Sequence, residues 1–208
     1  VPGPWTGNPF PVNGIDAAST YKQPDGLLRA NIFKANRYWG YTCHLAATPT
    51  TCTAITTASL TEWAGAVSDP NSVWAANPLP TDSVDAFDQF VWPNGKLRST
   101  VTKGNRVWYY DCAFGPPVTC TALGTTTLAN AWTGIANQSS YGSTPLPTDS
   151  ITAMAINVQP DNRLRVNVYK GDRYWGYTCA FTAAGDNTTG CTTAPTAAIS
   201  ASIPNYAN

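Results

Sequence analysis

Segments in which apolar and polar residues alternate recur along the chain and predict short β-strands. Within residues 28–33, the apolar Leu28, Ala30 and Ile32 occupy every second position, the period of a strand with one buried face. A Pro-Asp-Gly turn precedes this segment at residues 24–26, and its glycine supplies the positive φ that a tight hairpin needs. The pattern therefore predicts strands joined by hairpins.

This strand pattern occurs three times. Residues 15–43, 84–112 and 151–179 align without gaps, and a cysteine ends each of these segments. A second cysteine follows each segment, and residues 51–57 and 119–126 can supply a fourth strand. We therefore expect three four-stranded antiparallel units, each closed by its own local disulfide. The predicted pairs are Cys43–Cys52, Cys112–Cys120 and Cys179–Cys191.

The residues before each repeat are also shared. Trp5, Trp74 and Tyr141 each precede a Pro-x-Pro triplet at the same spacing, so residues 1–14 match the end of a repeat. The units 15–83, 84–150 and 151–208 plus 1–14 then account for all of residues 1–208 as a single domain. This predicts an all-β, circularly closed pseudo-threefold array whose termini meet. Propeller-like sheets are the preferred architecture, and a β-trefoil is the alternative.

Two stretches of the repeats resemble a known family. Residues 25–39, with residues 15–18 ahead of them, and residues 170–175 are similar to the repeat of hemopexin-like β-propellers. The resemblance implies a ring of sheets around an axial channel, and it implies neither haem binding nor an enzyme. The chain differs in having three repeats instead of four blades, a disulfide in each repeat, longer linkers, and Thr152 where the other repeats have Asp16 and Asp85. Its overall character is like that of secreted β-repeat lectins.

The amino-acid composition limits which binding partners and which cellular compartment we expect. The 12 basic and 12 acidic residues cancel, which does not favour a nucleic-acid partner, and no apolar run is long enough to span a membrane. Six cysteines without CxxC spacing indicate an oxidising compartment. We therefore expect a mature secreted protein, with glycosylation sequons at Asn137 and Asn187. Its oligomeric state is not predicted.

Few residues are suited to catalysis. The single histidine, His44, has no nucleophile motif to act on. Asp85 and Asp88 are three residues apart on a predicted strand and so lie on opposite faces, which is wrong for paired acid and base catalysis. The cysteines are assigned to disulfides, which leaves no metal site. We expect no enzyme, no catalytic residues and no certain cofactor.

The repeated arginines and aromatic residues are the candidate ligand-binding groups. All 12 Lys and Arg residues fall within residues 22–37, 96–106 and 163–173, and arginine donates forked hydrogen bonds while aromatic rings stack on sugars. The leading hypothesis is a multivalent lectin that binds glycans, with the linker aromatics as the better candidates for exposure. The predicted site comprises Arg29, Arg37, Arg98, Arg106, Arg165, Arg173, Trp39, Trp108, Trp175, Trp5, Trp74 and Tyr141.

Two alternatives use the same residues differently. If the array leaves an axial or inter-repeat cavity, its aromatic walls suit one small apolar or conjugated molecule, such as a pigment. The protein would then be a carrier of a small organic ligand. The second alternative is a structural or defence protein without a ligand.

Overall fold

The computed structural model describes residues 7–45, 51–133, 135 and 139–199. The strands of the first sheet are β1 (Ala17–Lys22), β2 (Leu28–Lys34), β3 (Arg37–His44) and β4 (Thr51–Ser59). The second sheet contains β5 (Val67–Ser68), β6 (Ala86–Val91), β7 (Leu97–Lys103), β8 (Arg106–Ala113) and β9 (Thr119–Thr127). The third contains β10 (Ala153–Val158), β11 (Arg163–Lys170), β12 (Arg173–Phe181) and β13 (Thr188–Ala198).

Each repeat forms its own antiparallel meander. The strand orders are β1-β2-β3-β4, β6-β7-β8-β9 and β10-β11-β12-β13, which agrees with propeller-like sheets and not with a β-trefoil. The second sheet is mixed, because the linker that follows the first repeat adds β5 parallel to β9 at its outer edge. This short strand covers an edge that would otherwise present unpaired backbone groups. The three disulfides pair as predicted, each joining the third and fourth long strands of one repeat.

Short helices follow the outer strands of the first two repeats. Helix α1 (Leu60–Gly65) begins at a capping box, in which Ser59 and Glu62 exchange hydrogen bonds. Helix α2 (Leu128–Ala131) is capped by Thr127 alone, and a 3₁₀ turn follows at Ser139–Tyr141. None of the helices in the described ranges is long and apolar enough to cross a membrane.

Aspartates at the strand entries hold the hairpins that join the second and third strands. Asp16 Oδ2 accepts the backbone N–H of Ala35 at 2.6 Å, and Asp85 Oδ2 accepts that of Gly104 at 2.6 Å. Thr152 stands at this position in the third repeat and donates its hydroxyl to the Tyr169 carbonyl. The aspartates noted in the sequence therefore have a structural role here.

The innermost strands β1, β6 and β10 lie side by side, with β6 packed against both neighbours. Residues of all three repeats line a recess at one end of these strands and another recess at the other end. Among the described strands, β6 contacts both β1 and β10, but β1 and β10 make no comparable contact with each other. The closed threefold ring and the meeting of the termini stay predictions, because residues 1–6 and 200–208 lie outside the described ranges.

A buried polar cluster joins the first sheet to the second at this centre. The side-chain oxygen of Gln89 accepts hydrogen bonds from Ser19 at 3.1 Å and Asn31 at 2.7 Å, and its amide donates to Ser99 at 2.8 Å. Because every member of the cluster has a partner, these buried polar groups avoid the cost of being unpaired. The apolar core lies to either side of the cluster, between neighbouring sheets.

Candidate functional site

The repeated tryptophans of the third strands are buried. Trp39, Trp108 and Trp175 are 6%, 6% and 4% exposed, and each indole N–H donates to a backbone carbonyl of the preceding linker. The acceptors are the carbonyls of Asn8, Asn77 and Thr144. These rings anchor the linkers to the sheets, so their faces are not accessible for stacking on sugars. The idea that these rings offer accessible faces beside Arg37, Arg106 and Arg173 is wrong for this reason, and a role of these residues in ligand binding stays a prediction.

The expected exposure of the linker aromatics is also wrong where the structure describes them. Trp74 is 5% exposed and donates its indole N–H to the Gly124 carbonyl at 3.0 Å. Tyr141 is 1% exposed, and its hydroxyl donates to the Gly176 carbonyl at 3.2 Å. Trp5 lies outside the described residues. Large aromatic rings in the linkers are buried because they provide apolar area between the repeats.

The two sets of arginines occupy different places. Arg37 and Arg106 are partly exposed and Arg173 is exposed, all at the start of a third strand. Arg29 and Arg165 donate instead to neighbouring asparagines on their own strands, at 3.3 and 3.0 Å. In those two repeats a glycine on the next strand, Gly40 or Gly176, leaves the space that the guanidinium fills. The role of the arginines in ligand binding stays a prediction.

Aromatic rings fill the space between the first and second sheets. Phe33 and Phe87 approach to a centroid distance of 4.4 Å, and Trp63 packs edge-on against both at 5.4 and 5.8 Å. Tyr38 stacks on the other side of Phe33 at 5.9 Å. The Trp63 indole N–H also donates to the Tyr110 hydroxyl of the second sheet. These rings form one continuous core.

The matching space between the second and third sheets contains a cavity of about 350 Å³. At the positions equivalent to Phe33, Phe87 and Tyr38 the sequence has Thr102, Met154 and Val107, and all three line the cavity. The cavity exists because these positions carry non-aromatic side chains where the first interface has aromatic rings. The other large aromatic and aliphatic residues of the wall include Phe90, Trp92, Tyr109, Leu128, Trp132, Ile156, Leu164, Val166 and Tyr177.

The uncharged polar groups of the cavity wall are hydroxyl, indole and amide groups, contributed by Thr100, Thr102, Thr133, Thr188, Tyr109, Tyr177, Trp92, Trp132 and Asn187. Trp132 donates its indole N–H to the Tyr177 hydroxyl, and burial raises the pKa of Tyr177 well above its usual range. Burial raises the pKa of Tyr109 to about 12, an effect that the nearby Arg98 partly opposes. Both tyrosines are therefore uncharged at neutral pH. The wall offers neutral hydroxyl groups and apolar surface.

Arg98 brings the only positive charge among the described lining residues, and it is already paired. Its Nε lies 2.6 Å from Asp111 Oδ1, and both side chains are largely buried. The guanidinium also lies 4.8 Å from the centre of the Trp92 ring, in a cation–π arrangement. Tyr109 replaces the glycine found in the other repeats, so Arg98 pairs with Asp111 instead of entering the glycine gap.

One predicted modification site borders the cavity. Asn187 is exposed and lines the cavity beside Thr188 and the disulfide of the third repeat. Its glycosylation stays a prediction, and Asn137 lies outside the described residues. Four of the residues predicted to bind ligand, form disulfides or carry glycans line this cavity: Arg98, Cys179, Asn187 and Cys191.

Most residues of the cavity lie outside the predicted site, although the sequence contains a signal for them. Trp92 stands where the other repeats have Gln23 and Gln159, and Tyr109 stands where they have Gly40 and Gly176. These departures from the threefold pattern converge on one place in the structure. Positions at which the second repeat differs from the other two therefore indicate where the cavity lies.

The fold belongs to the hemopexin type of propeller-like β-sheet architecture. The chain is similar to a hemopexin-fold protein, CP4 from cow pea, with a TM-score of 0.58 and 17% sequence identity, over 97% of this chain and 74% of that chain. This likeness confirms the resemblance shown by the repeats and concerns the fold. No family model and no curated protein matches the sequence.

Proposed function

We propose that the protein is a non-enzymatic carrier that binds one small apolar or conjugated molecule between the second and third sheets. The cavity of about 350 Å³ carries this proposal. Its volume lies within the range of small-molecule sites, which are concave, mostly apolar and lined by aromatic side chains with few polar groups. Binding would derive mainly from removing apolar ligand surface from water.

The asymmetry of the repeats supports a single site. The first interface between sheets is filled by Phe33, Phe87 and Trp63, whereas the second has Thr102 and Met154 at the equivalent places. A protein whose repeats served three equivalent ligands would need the same wall in each repeat. A carrier needs one cavity, and the described residues form it where the aromatic filling is missing.

The multivalent lectin hypothesis receives less support. It depends on aromatic faces that sugars can reach, and five of its six tryptophan and tyrosine candidates are buried and hydrogen-bonded to backbone carbonyls. The three disulfides support the proposal of a secreted protein.

Titration with naphthalene tests the carrier function, because this probe is apolar and has no polar group to recognise. We expect one naphthalene to bind per chain, measured by calorimetry and by the change in tryptophan fluorescence. The double variant Thr102→Phe, Met154→Phe restores the ring filling of the first interface, and we expect it to fold and to lose binding.

A matched control adds two phenylalanines away from the cavity. Ile55 and Val73 are 45% and 37% exposed and do not line the cavity, so the double variant Ile55→Phe, Val73→Phe should bind naphthalene as the unmodified protein does. Absence of binding to the unmodified protein, or undiminished binding to the filled variant, would contradict the carrier function.

A further inference from the structure

Trp92 presents a buried hydrogen-bond donor that the fold leaves unused. Its side chain lines the cavity and is 4% exposed. Its Nε1 is one of two buried side-chain polar atoms without a partner among the described residues, and the other, Thr42 Oγ1, is not part of the cavity wall. Trp92 therefore carries an unpaired buried donor beside the cavity, and because less than 1 Å² of Nε1 is accessible, a ligand reaches this atom through a shift of the Trp92 side chain.

The other buried tryptophans of the described residues, Trp39, Trp74, Trp108, Trp132 and Trp175, each have an acceptor for the indole N–H. Trp39, Trp108 and Trp175 donate to linker carbonyls, and Trp132, also on the cavity wall, donates to Tyr177. A buried donor without a partner is costly, and native proteins rarely leave one. Since the surrounding wall supplies no acceptor to Trp92, an acceptor on the molecule that fills the cavity is the natural partner.

The charges around Trp92 restrict that molecule further. Arg98 stacks on the indole ring at 4.8 Å, but its charge is compensated by Asp111 at 2.6 Å. A ligand carboxylate would have to compete with Asp111 for this arginine. A ligand cation would be repelled by the guanidinium and would find no acidic side chain among the described lining residues. Both kinds of charge would be expensive to bury, so the wall favours an uncharged ligand.

Ring contacts add a preference in shape. Phe90 and Phe181 pack against Trp92 in T-shaped geometry at centroid distances of 4.7 and 5.4 Å, and Tyr109 and Tyr177 line the same cavity. Aromatic surfaces of this kind pair with flat rings in stacked or edge-on geometry.

From these observations we propose that the ligand is an uncharged, flat conjugated molecule with a carbonyl-type oxygen that accepts the Trp92 Nε1 hydrogen. Trp92 would then determine specificity within the cavity. This inference rests on the proposed carrier function and adds the chemical class of the ligand.

The test compares two probes of the same shape, methyl naphthyl ketone and isopropenylnaphthalene, which differ in having a C=O or a C=CH₂ group. We expect the protein to bind the ketone about tenfold more tightly, because one hydrogen bond to a buried donor is gained. In Trp92→Phe the preference should disappear while the hydrocarbon still binds. Trp108→Phe, which removes an indole N–H outside the cavity, should keep the preference.

The unmodified protein supplies a second readout that does not depend on the variant folding. With ¹⁵N-labelled tryptophan, the ketone should shift the Trp92 indole N–H resonance downfield and slow its exchange with water, and the hydrocarbon should not. Equal affinity for both probes, or a preference that survives Trp92→Phe, would overturn the assignment to Trp92 and leave the carrier function intact. Binding of neither probe would overturn both.

Discussion

We expect the carboxyl group of Asp88 to make the folded state less stable as the pH rises. It lies in the innermost strand β6, is 5% exposed, and accepts hydrogen bonds from the backbone N–H groups of Gln89 and Ile156. The second of these links the second sheet to the third, beside the cavity. Burial raises the pKa of this carboxyl from 3.8 to about 7, an effect that the two backbone hydrogen bonds only partly oppose.

The direction in which stability changes with pH follows from the raised pKa of Asp88. Between about pH 4 and pH 7 the folded state holds a proton on Asp88 that the unfolded state has lost, so stability from this group decreases as the pH rises through that window and levels off above it. The full shift corresponds to about 4 kcal/mol, of which about 3 kcal/mol falls between about pH 4.5 and about pH 8.

Asp88→Asn removes this titration and keeps a side-chain oxygen that can accept the Ile156 N–H. We expect the free energy of unfolding of the variant, minus that of the unmodified protein, to be about 3 kcal/mol larger at about pH 8 than at about pH 4.5. Urea unfolding followed by circular dichroism at both pH values measures this difference, and the other titrating groups cancel. A difference that stays constant with pH, or that grows as the pH falls, would refute the reasoning.

Two further substitutions test how the repeats are held together. A Cβ at residue 176 would lie 2.8 Å from the guanidinium carbon of Arg165, so Gly176→Ala should cost about 1–2 kcal/mol by displacing its hydrogen bonds. In an Arg165→Ala background the same change should cost less, because only Asn167 Oδ1, 3.1 Å from the added Cβ, then has to shift. An undiminished cost in this double-mutant cycle would contradict the packing described. Replacing Cys112 and Cys120 by alanine opens a loop of sequence separation 8, for which loop entropy predicts a loss of about 2–3 kcal/mol. Thermal or urea unfolding of this double alanine variant measures the loss of stability. An unchanged midpoint would show that other contacts hold the loop.

Local patterns predicted the sheets because their signals lie within one repeat. The alternation at residues 28–33, the turn at residues 24–26 and the nearest-neighbour cysteine pairs each involve residues close in sequence. The predicted strands, hairpins and disulfides consequently agree with the structure. The strand β5 was not predicted, because a two-residue segment has no period and its partner β9 lies in the next repeat.

The candidate site was harder to predict because it depends on contacts between repeats. Repetition of Trp39, Trp108 and Trp175 suggested function, yet these rings bind linker carbonyls, a need that every repeat shares. The cavity depends on positions where the repeats differ, such as Thr102 in place of Phe33. Whether two such positions face each other is decided by how one sheet packs on the next, which no single repeat encodes.

A crystal structure of the protein soaked with bromonaphthalene tests the central claim most directly, since the anomalous signal of bromine locates the ligand without ambiguity. The carrier function predicts one bromine site per chain, between the second and third sheets and in contact with Trp92, Thr102 and Met154. Ordered water in the cavity with bromine bound only at the protein surface, or at equivalent places in all three repeats, would contradict it.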